Sequence, residues 1–242
     1  MRCGGPDGIS RLAMGTHITI EGRSIPLRFR TSPRSRRLSL RLDSTGDGLI
    51  VVAPPHVPES VLHDFVLGKG EWVALQLRTL PQRVPFADGA VIPILGVPHT
   101  VRHLPEARRG VWAEEGVLGV SGEAAHVARR LTDWLRQRAR DHLVERVRVY
   151  ANRLGVSPTG VTLRDTRTRW GSCAACGRLS FSWRLILAPP AVVDYVSAHE
   201  VAHLVEFNHS PRFWSLVADL VGECDAARHW LKVEGLTLHR YG

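Results

Sequence analysis

The pentapeptide His199-Glu200-Val201-Ala202-His203 constrains this chain more than any other stretch of its 242 residues. It lies in an apolar run, with Val192, Val193, Val196 and Val201, that begins behind Pro189-Pro190. Proline is tolerated in a first helical turn, so the run predicts a helix starting there. Residues four apart on a helix share a face. His199 and His203 then point the same way, one turn apart. Two imidazoles so placed can bind one Zn²⁺ at about 2.0–2.1 Å each, and a glutamate next to the first ligand reaches a water on the ion rather than the ion itself.

A catalytic zinc site wants three protein ligands and one open position. His209, six residues after His203, is the favoured third ligand. The helix has to end before it, and Asn208 suits that role because asparagine tolerates the left-handed conformation. Ser210-Pro211 then reads as the cap and first residue of a new helix, whose core face is Phe213, Trp214, Leu216, Val217 and Leu220. Glu223, twenty residues after His203, is the rival ligand. Gly222 and an expected helix end argue against a rigid inward carboxylate there. The metzincin spacing is excluded: Glu206 stands where that pattern has glycine, and no methionine follows Met14.

Upstream, period-2 alternation from His17 to Ala53 predicts an antiparallel meander with one wet face. Its apolar positions are Ile18 and Ile20, then Ile25, Leu27 and Phe29, then Leu38, Leu40 and Leu42, then Leu49 to Ala53. Asp43 to Gly48 reads as a turn. A helix is expected from about Glu59 to Thr79, weakened at Gly68 and Gly70. Short strands follow at Ala90–Leu95 and His99–His103, and a hairpin turns at Glu114-Glu115-Gly116. A long helix runs from about Glu123 to Leu154 and stops at Gly155. Leu179 to Leu187 reads as a strand. No internal repeat is evident. The class expected is α+β, divided into a flexible stretch 1–15, a β-rich part 16–121 and a C-terminal part 122–242. Met14 is an alternative start to Met1.

Formal charge is +9, and since Lys69 and Lys232 are the only lysines, 30 of the 32 basic residues are arginine. The arginines are spread along the chain, densest at Arg34-Ser35-Arg36-Arg37 and Arg129-Arg130. A solvated basic surface accounts for them, with nucleic acid as the other partner such a charge fits. There is no run of 18 apolar residues and no apolar leader behind Met1, so the expectation is a cytoplasmic protein with no membrane partner and reduced cysteines. Cys173-x-x-Cys176 is half of a structural zinc site, and the other half would need Cys3, Cys224 or spare histidines. Two reduced cysteines in a turn is the reading favoured.

Several segments together resemble the YgjP-like metallopeptidases, zincin-type proteins related to the SprT-like and WLM groups. They are Arg169-Trp170-Gly171-Ser172-Cys173, Leu179 to Pro189 with Trp183-Arg184-Leu185, His199 to His203, Asn208-His209-Ser210 and Phe213-Trp214. Arg34 to Leu42 with the turn and strand after it also fits. The loop Ala174-Ala175-Cys176-Gly177 is a departure. The resemblance covers the chain from about Thr16. It implies a zincin-like C-terminal hydrolase domain holding one zinc ion per chain on His199, His203 and His209, with Glu200 as catalytic base.

The chemistry expected is hydrolysis of a peptide or protein by zinc-activated water. Arg169, Trp170 and Arg184 are candidate substrate-binding residues, and Leu179 to Leu187 is a candidate edge strand for an extended peptide. A nucleoside triphosphate is the alternative substrate, which abundant arginine suits, although no glycine-rich phosphate loop and no Mg²⁺ carboxylate cluster accompany it. A nucleic-acid-associated protein with a structural zinc is the third reading.

Overall fold

The computed structural model describes residues 13–42, 48–79 and 83–242. Cys3, most of the stretch 1–15 and the turn Asp43–Asp47 lie outside them. The chain divides into two compact units, Met1–Pro81 and Gln82–Gly242.

In the first unit, β1 (Ala13–Ile20), β2 (Arg23–Thr31), β3 (Ser39–Leu42) and β4 (Leu49–Ala53) form one sheet in the order β1-β2-β4-β3. Residues 13–15 thus open a strand, where the sequence suggested a loose end. The strands are where the alternation puts them, but the sheet is not a meander. β2 and β4 run parallel, and β3 is carried to the outside as an antiparallel edge. Period-2 spacing fixes which face each residue takes and says nothing about strand order. The single helix expected over 59–79 is two, α1 (Glu59–Leu67) and α2 (Gly70–Thr79). The chain breaks at Gly68-Lys69, where glycine disfavours helix continuation.

In the second unit, β5 (Val91–Ile94), β6 (Val97–His103), β7 (Val111–Glu114) and β8 (Val117–Val120) repeat that plan. The order is β5-β6-β8-β7, with β6 and β8 parallel between two antiparallel pairs. The repeat is one of topology, hidden in the residues. Its local signature is a two-residue turn of left-handed φ: Glu21-Gly22 between β1 and β2, Leu95-Gly96 between β5 and β6, and Glu115-Gly116 between β7 and β8. Two successive positive φ values make the hairpin turn that matches strand twist.

The long helix α3 (Val127–Leu154) follows a 3-10 turn at Ala124–His126 and ends on Gly155 at φ 65°, as the sequence indicates. Its stripe of Leu131, Leu135, Ala139, Leu143 and Val147 is buried in the same core as Ile92, Val101, Leu118 and Val120 of β5–β8. That shared core puts β5–β8 in the unit of the C-terminal region, so the division falls at 81/82 and not near Ser121-Gly122.

A third sheet is built from β9 (Gly160–Arg164), β10 (Gly171–Cys173) and β11 (Arg178–Ser182), in the order β10-β11-β9. β11 is paired on both sides, antiparallel to β10 and parallel to β9. The stretch Leu179–Leu187 is therefore not an edge strand. It stops at Ser182 and continues as a buried 3-10 turn, Trp183–Leu187. The two edges of this sheet are β10 and β9.

Three helices complete the fold: α4 (Pro190–Ala202), α5 (Pro211–Val221) and α6 (Asp225–Val233). α4 carries Pro190 in its first turn, and α5 carries Pro211 with Ser210 as its cap. The architecture is mixed α+β with three small sheets. No helix of the described residues is long and apolar enough to cross a membrane.

Candidate metal centre

α4 ends at Ala202 with His203 as its capping residue. Its last carbonyls are taken up by the following turn: Leu204 N donates to Val201 O at 3.0 Å, Val205 N to Ala202 O at 3.0 Å and Glu206 N to Ala202 O at 2.9 Å. The reversal needs no left-handed residue. Among the described residues, the positive-φ residues other than glycine are Glu21, Leu95 and Glu115, so Asn208 does not play the part expected of it. Instead it donates from Nδ2 to Glu206 Oε1 at 3.3 Å. The chain then restarts on Ser210, whose Oγ accepts from Phe213 N at 3.3 Å. This corner turns His209 back toward α4.

The result is convergence of three rings. His199 Nε2 lies 3.2 Å from His203 Nε2 and 3.2 Å from His209 Nε2. The three are the one group of metal-ligating side chains among the described residues that could hold an ion, with their ligand atoms within 4.8 Å of one another. Nitrogens each about 2.0–2.1 Å from one tetrahedral ion stand about 3.3 Å apart, so the spacing fits. His203 Nδ1 faces Glu206 O at 3.1 Å. A proton held there leaves Nε2 as the free lone pair, the tautomer a ligand needs. Burial, helped by the neighbouring His203, His209 and Arg228, pulls His199 down to about 4. His203 is also lowered, chiefly by burial. Neutral rings are what a metal ion requires of imidazole.

Phe213 and Trp214 wall the triad. Phe213 lies 4.9 Å from His199 and 4.5 Å from His203, ring centre to ring centre, while Trp214 stacks on His209 at 5.8 Å. The helical spacing of α5 marks both as core. Their second function follows from their place four and five residues beyond His209. Tyr195, one turn before His199, adds an edge contact at 5.7 Å. The Arg228 guanidinium of α6 sits 4.6 Å over the Trp214 ring, which no local pattern foretold.

Glu200 is 5 % exposed, and burial pushes its carboxyl up to about 8, with the positive charge of Arg169 acting the other way. β10 comes so near that a side chain on Gly171 would collide with the Glu200 carboxyl. Only glycine permits that approach.

The other sequence candidates fall into two groups. Arg169 is electrostatically close to Glu200. Trp170 is packed, stacked 5.2 Å from His239 and touching Gly235. Arg184 is 6 % exposed and taken up internally. It donates to Asp165 Oδ1 at 2.7 Å, to Leu238 O at 3.2 Å and to Tyr241 O at 2.6 Å. It fastens the C-terminal turn and is not open to a substrate. Glu223 is not part of the triad. It lines a separate cavity of about 350 Å³ with Tyr150, Asp194, Tyr195 and Cys224. Cys173, Cys176 and Cys224 are free thiols, and no second metal-ligating group of three forms around them among the described residues.

Three imidazoles able to hold an ion, the first of them next in sequence to a buried carboxylate, make this the candidate metal centre of the chain, and the family it belongs to gives the class, a metallopeptidase. The chain belongs to the YgjP-like family, whose signature, described as YgjP-like, metallopeptidase domain, matches residues 36–234. Among solved structures it is similar to the metallopeptidase zymogen abylysin of Pyrococcus abyssi. The identity is 19 % and the TM-score 0.33, over 38 % of this chain and 95 % of that one. That likeness is too slight to carry any feature across. No curated protein sequence matches. The family carries peptide or protein as the substrate class, and nothing in these comparisons speaks for a nucleotide.

Proposed function

We propose that this chain is a zinc-dependent peptidase in which His199, His203 and His209 hold the ion and Glu200 is the general base. The observation that carries the reading is the approach of three imidazole Nε2 atoms to ion-sharing distance, next in sequence to a buried carboxylate. Zinc bound there would supply a Lewis acid that polarises the scissile carbonyl and acidifies water.

Glu200 moves the proton. Its carboxylate takes one from the attacking water and passes it to the leaving amine nitrogen. Gly171 keeps the floor beneath that carboxylate flat. Phe213 and Trp214 shield the ring edges of the ligands from bulk water. Because β11 is paired on both sides, the edges open to an extended substrate are β10 and β9, and β10 is the one packed against α4, so it is the strand we assign to the substrate. Main-chain pairing to that edge would align a peptide bond over Glu200. We place the activity in the cytoplasm, where thiols such as Cys173, Cys176 and Cys224 would stay reduced.

The test uses the purified chain. About one zinc per chain is expected, lost in His203→Ala. Glu200→Gln should keep the zinc and lose hydrolysis of casein-derived peptides. Undiminished hydrolysis by Glu200→Gln removes the base from the mechanism, and undiminished zinc in His203→Ala removes the ligand set.

A further inference from the structure

The sheet of the first unit has one covered face and one bare face. Ile25, Leu27, Phe29 and Val51 are buried in one core with Leu62 and Val66 of α1 and Val73 of α2. The alternate residues of the same strands turn the other way, and three of them are exposed arginines: Arg28 and Arg30 on β2, and Arg41 on β3. Register sets Arg28 opposite Ile50 of β4, and Ile50 opposite Arg41. Two strand spacings put Arg28 and Arg41 about 10 Å apart across the sheet, and Arg30 stands roughly 7 Å along β2 from Arg28.

The loop leaving β2 adds Arg34, Arg36 and Arg37, all exposed. It continues the pairing with β4 by one residue and then turns on itself. Ser32 N donates to Ala53 O at 2.9 Å, Ser35 N to Ser32 O at 3.0 Å and Ser35 Oγ to Arg37 O at 2.8 Å.

The acids of this unit among the described residues lie elsewhere, Asp7 being outside them. Glu59 and Asp64 are on α1 and Glu71 is on α2, the helices of the covered side, while Glu21 is in the turn at the opposite end of β2. Asp43 and Asp47 fall outside the described residues. Among the described residues, none of the six arginines has an acidic partner. Among the described residues, the rest of the bare face includes His17 and Thr19 on β1, Ser24 on β2 and Ile50 and Val52 on β4; one imidazole at its edge is the sole aromatic ring, with no phenylalanine, tyrosine or tryptophan.

Arginine grips phosphate with a planar, bidentate fork. Unpaired bases, by contrast, need aromatic rings to stack on. This face has the first and, for the second, a single imidazole at its edge, which suits a duplex whose bases are already stacked inside. It also presents no large exposed apolar side chain for a bilayer; those of this unit are Val61, Leu67, Trp72 and Leu75, on α1 and α2. We propose that the bare face of the β1–β4 sheet binds the phosphate backbone of a nucleic-acid double helix, without regard to base sequence. The inference is independent of the peptidase reading, since none of these arginines belongs to the metal centre.

The experiment is fluorescence anisotropy of a short labelled DNA duplex of random sequence with the full chain, from about 50 to 200 mM salt. Log affinity should fall linearly with log salt. The triple variant Arg28→Ala, Arg30→Ala, Arg41→Ala should bind at least about tenfold more weakly and flatten the slope by about three. The corresponding triple lysine variant should keep most of the slope, and peptide hydrolysis and zinc content should be unchanged in both. An unaltered slope in the alanine variant overturns the proposal, as does a lysine variant that loses as much as the alanine one. So does binding to polyglutamate or phosphatidylserine vesicles as tight as binding to the duplex.

Discussion

Gly171 and Glu200 stand so close that a β-carbon on Gly171 would overlap Glu200 Oε1, nearer than atoms of that kind approach. The contact is between the edge strand β10 and the helix α4 that bears His199, with His203 at its end. Gly171→Ala should therefore push the carboxylate aside while leaving the three histidines in place. Displacement of a reacting group by about 1 Å costs on the order of 10²-fold in rate. The expected outcome is a fall in kcat of about that size, with zinc content and KM nearly unchanged. An alanine variant with full kcat would mean that the Glu200 carboxylate has room to act from elsewhere.

The proposed third ligand, His209, is separable from its rival Glu223. His209→Ala should lose most bound zinc and all hydrolysis, since two ligands remain where a site wants three. Glu223→Gln, in the cavity behind Tyr195, should keep both. Zinc analysis of the two variants side by side decides the matter, and loss of metal in the glutamate variant alone would reverse the assignment.

Ser210 caps α5 immediately after His209. Ser210→Ala removes an acceptor from the Phe213 amide, and a lost cap of this kind costs about 1 kcal/mol. A small drop in Tm is expected, together with weaker zinc retention against a chelator, because the cap sets where the His209 backbone enters the corner. A Tm drop with unchanged zinc retention would show that the corner holds without it.

Asp165 gives the pH dependence. Burial pushes its carboxyl up, but the hydrogen bond and charge of Arg184, aided by Trp183 and His239, more than reverse that and hold it below its usual range. The charged form is thus favoured in the folded state. Its contribution to stability is fully present above the unfolded value of about 3.9, and is lost as pH falls through the lower folded value. Asp165→Asn should flatten the stability–pH curve in that acid window. At neutral pH it should cost on the order of 2 kcal/mol, since Arg184 is left with carbonyl acceptors alone. Denaturant melts of the two proteins from pH 2 to 7 check both points.

What could be read in the residues was local. α4 with its proline start, the capped entry to α5 and the glycine stop of α3 are encoded within a few positions, and so is the relation of His199 to His203. What escaped was non-local. The parallel pairing of β2 with β4 and of β6 with β8 depends on partners far along the chain, and alternation is blind to it. The buried work of Arg184 depends on carbonyls at Leu238 and Tyr241, more than fifty residues on. The shared core of β5–β8 and α3 likewise joins segments whose composition gives no sign of belonging together. The Glu206 carbonyl behind His203 belongs to the same blind spot, for it arises from how the chain bends and not from any side chain.

Two of the three imidazoles end one helix and the third begins the approach to the next. An ion shared among them would close the reversal of residues 204–208 like a clasp. Loading with metal should then shield this bend from proteases and slow its amide exchange more than anywhere else in the chain. Chelation should unfasten the corner first, long before the sheets behind it give way.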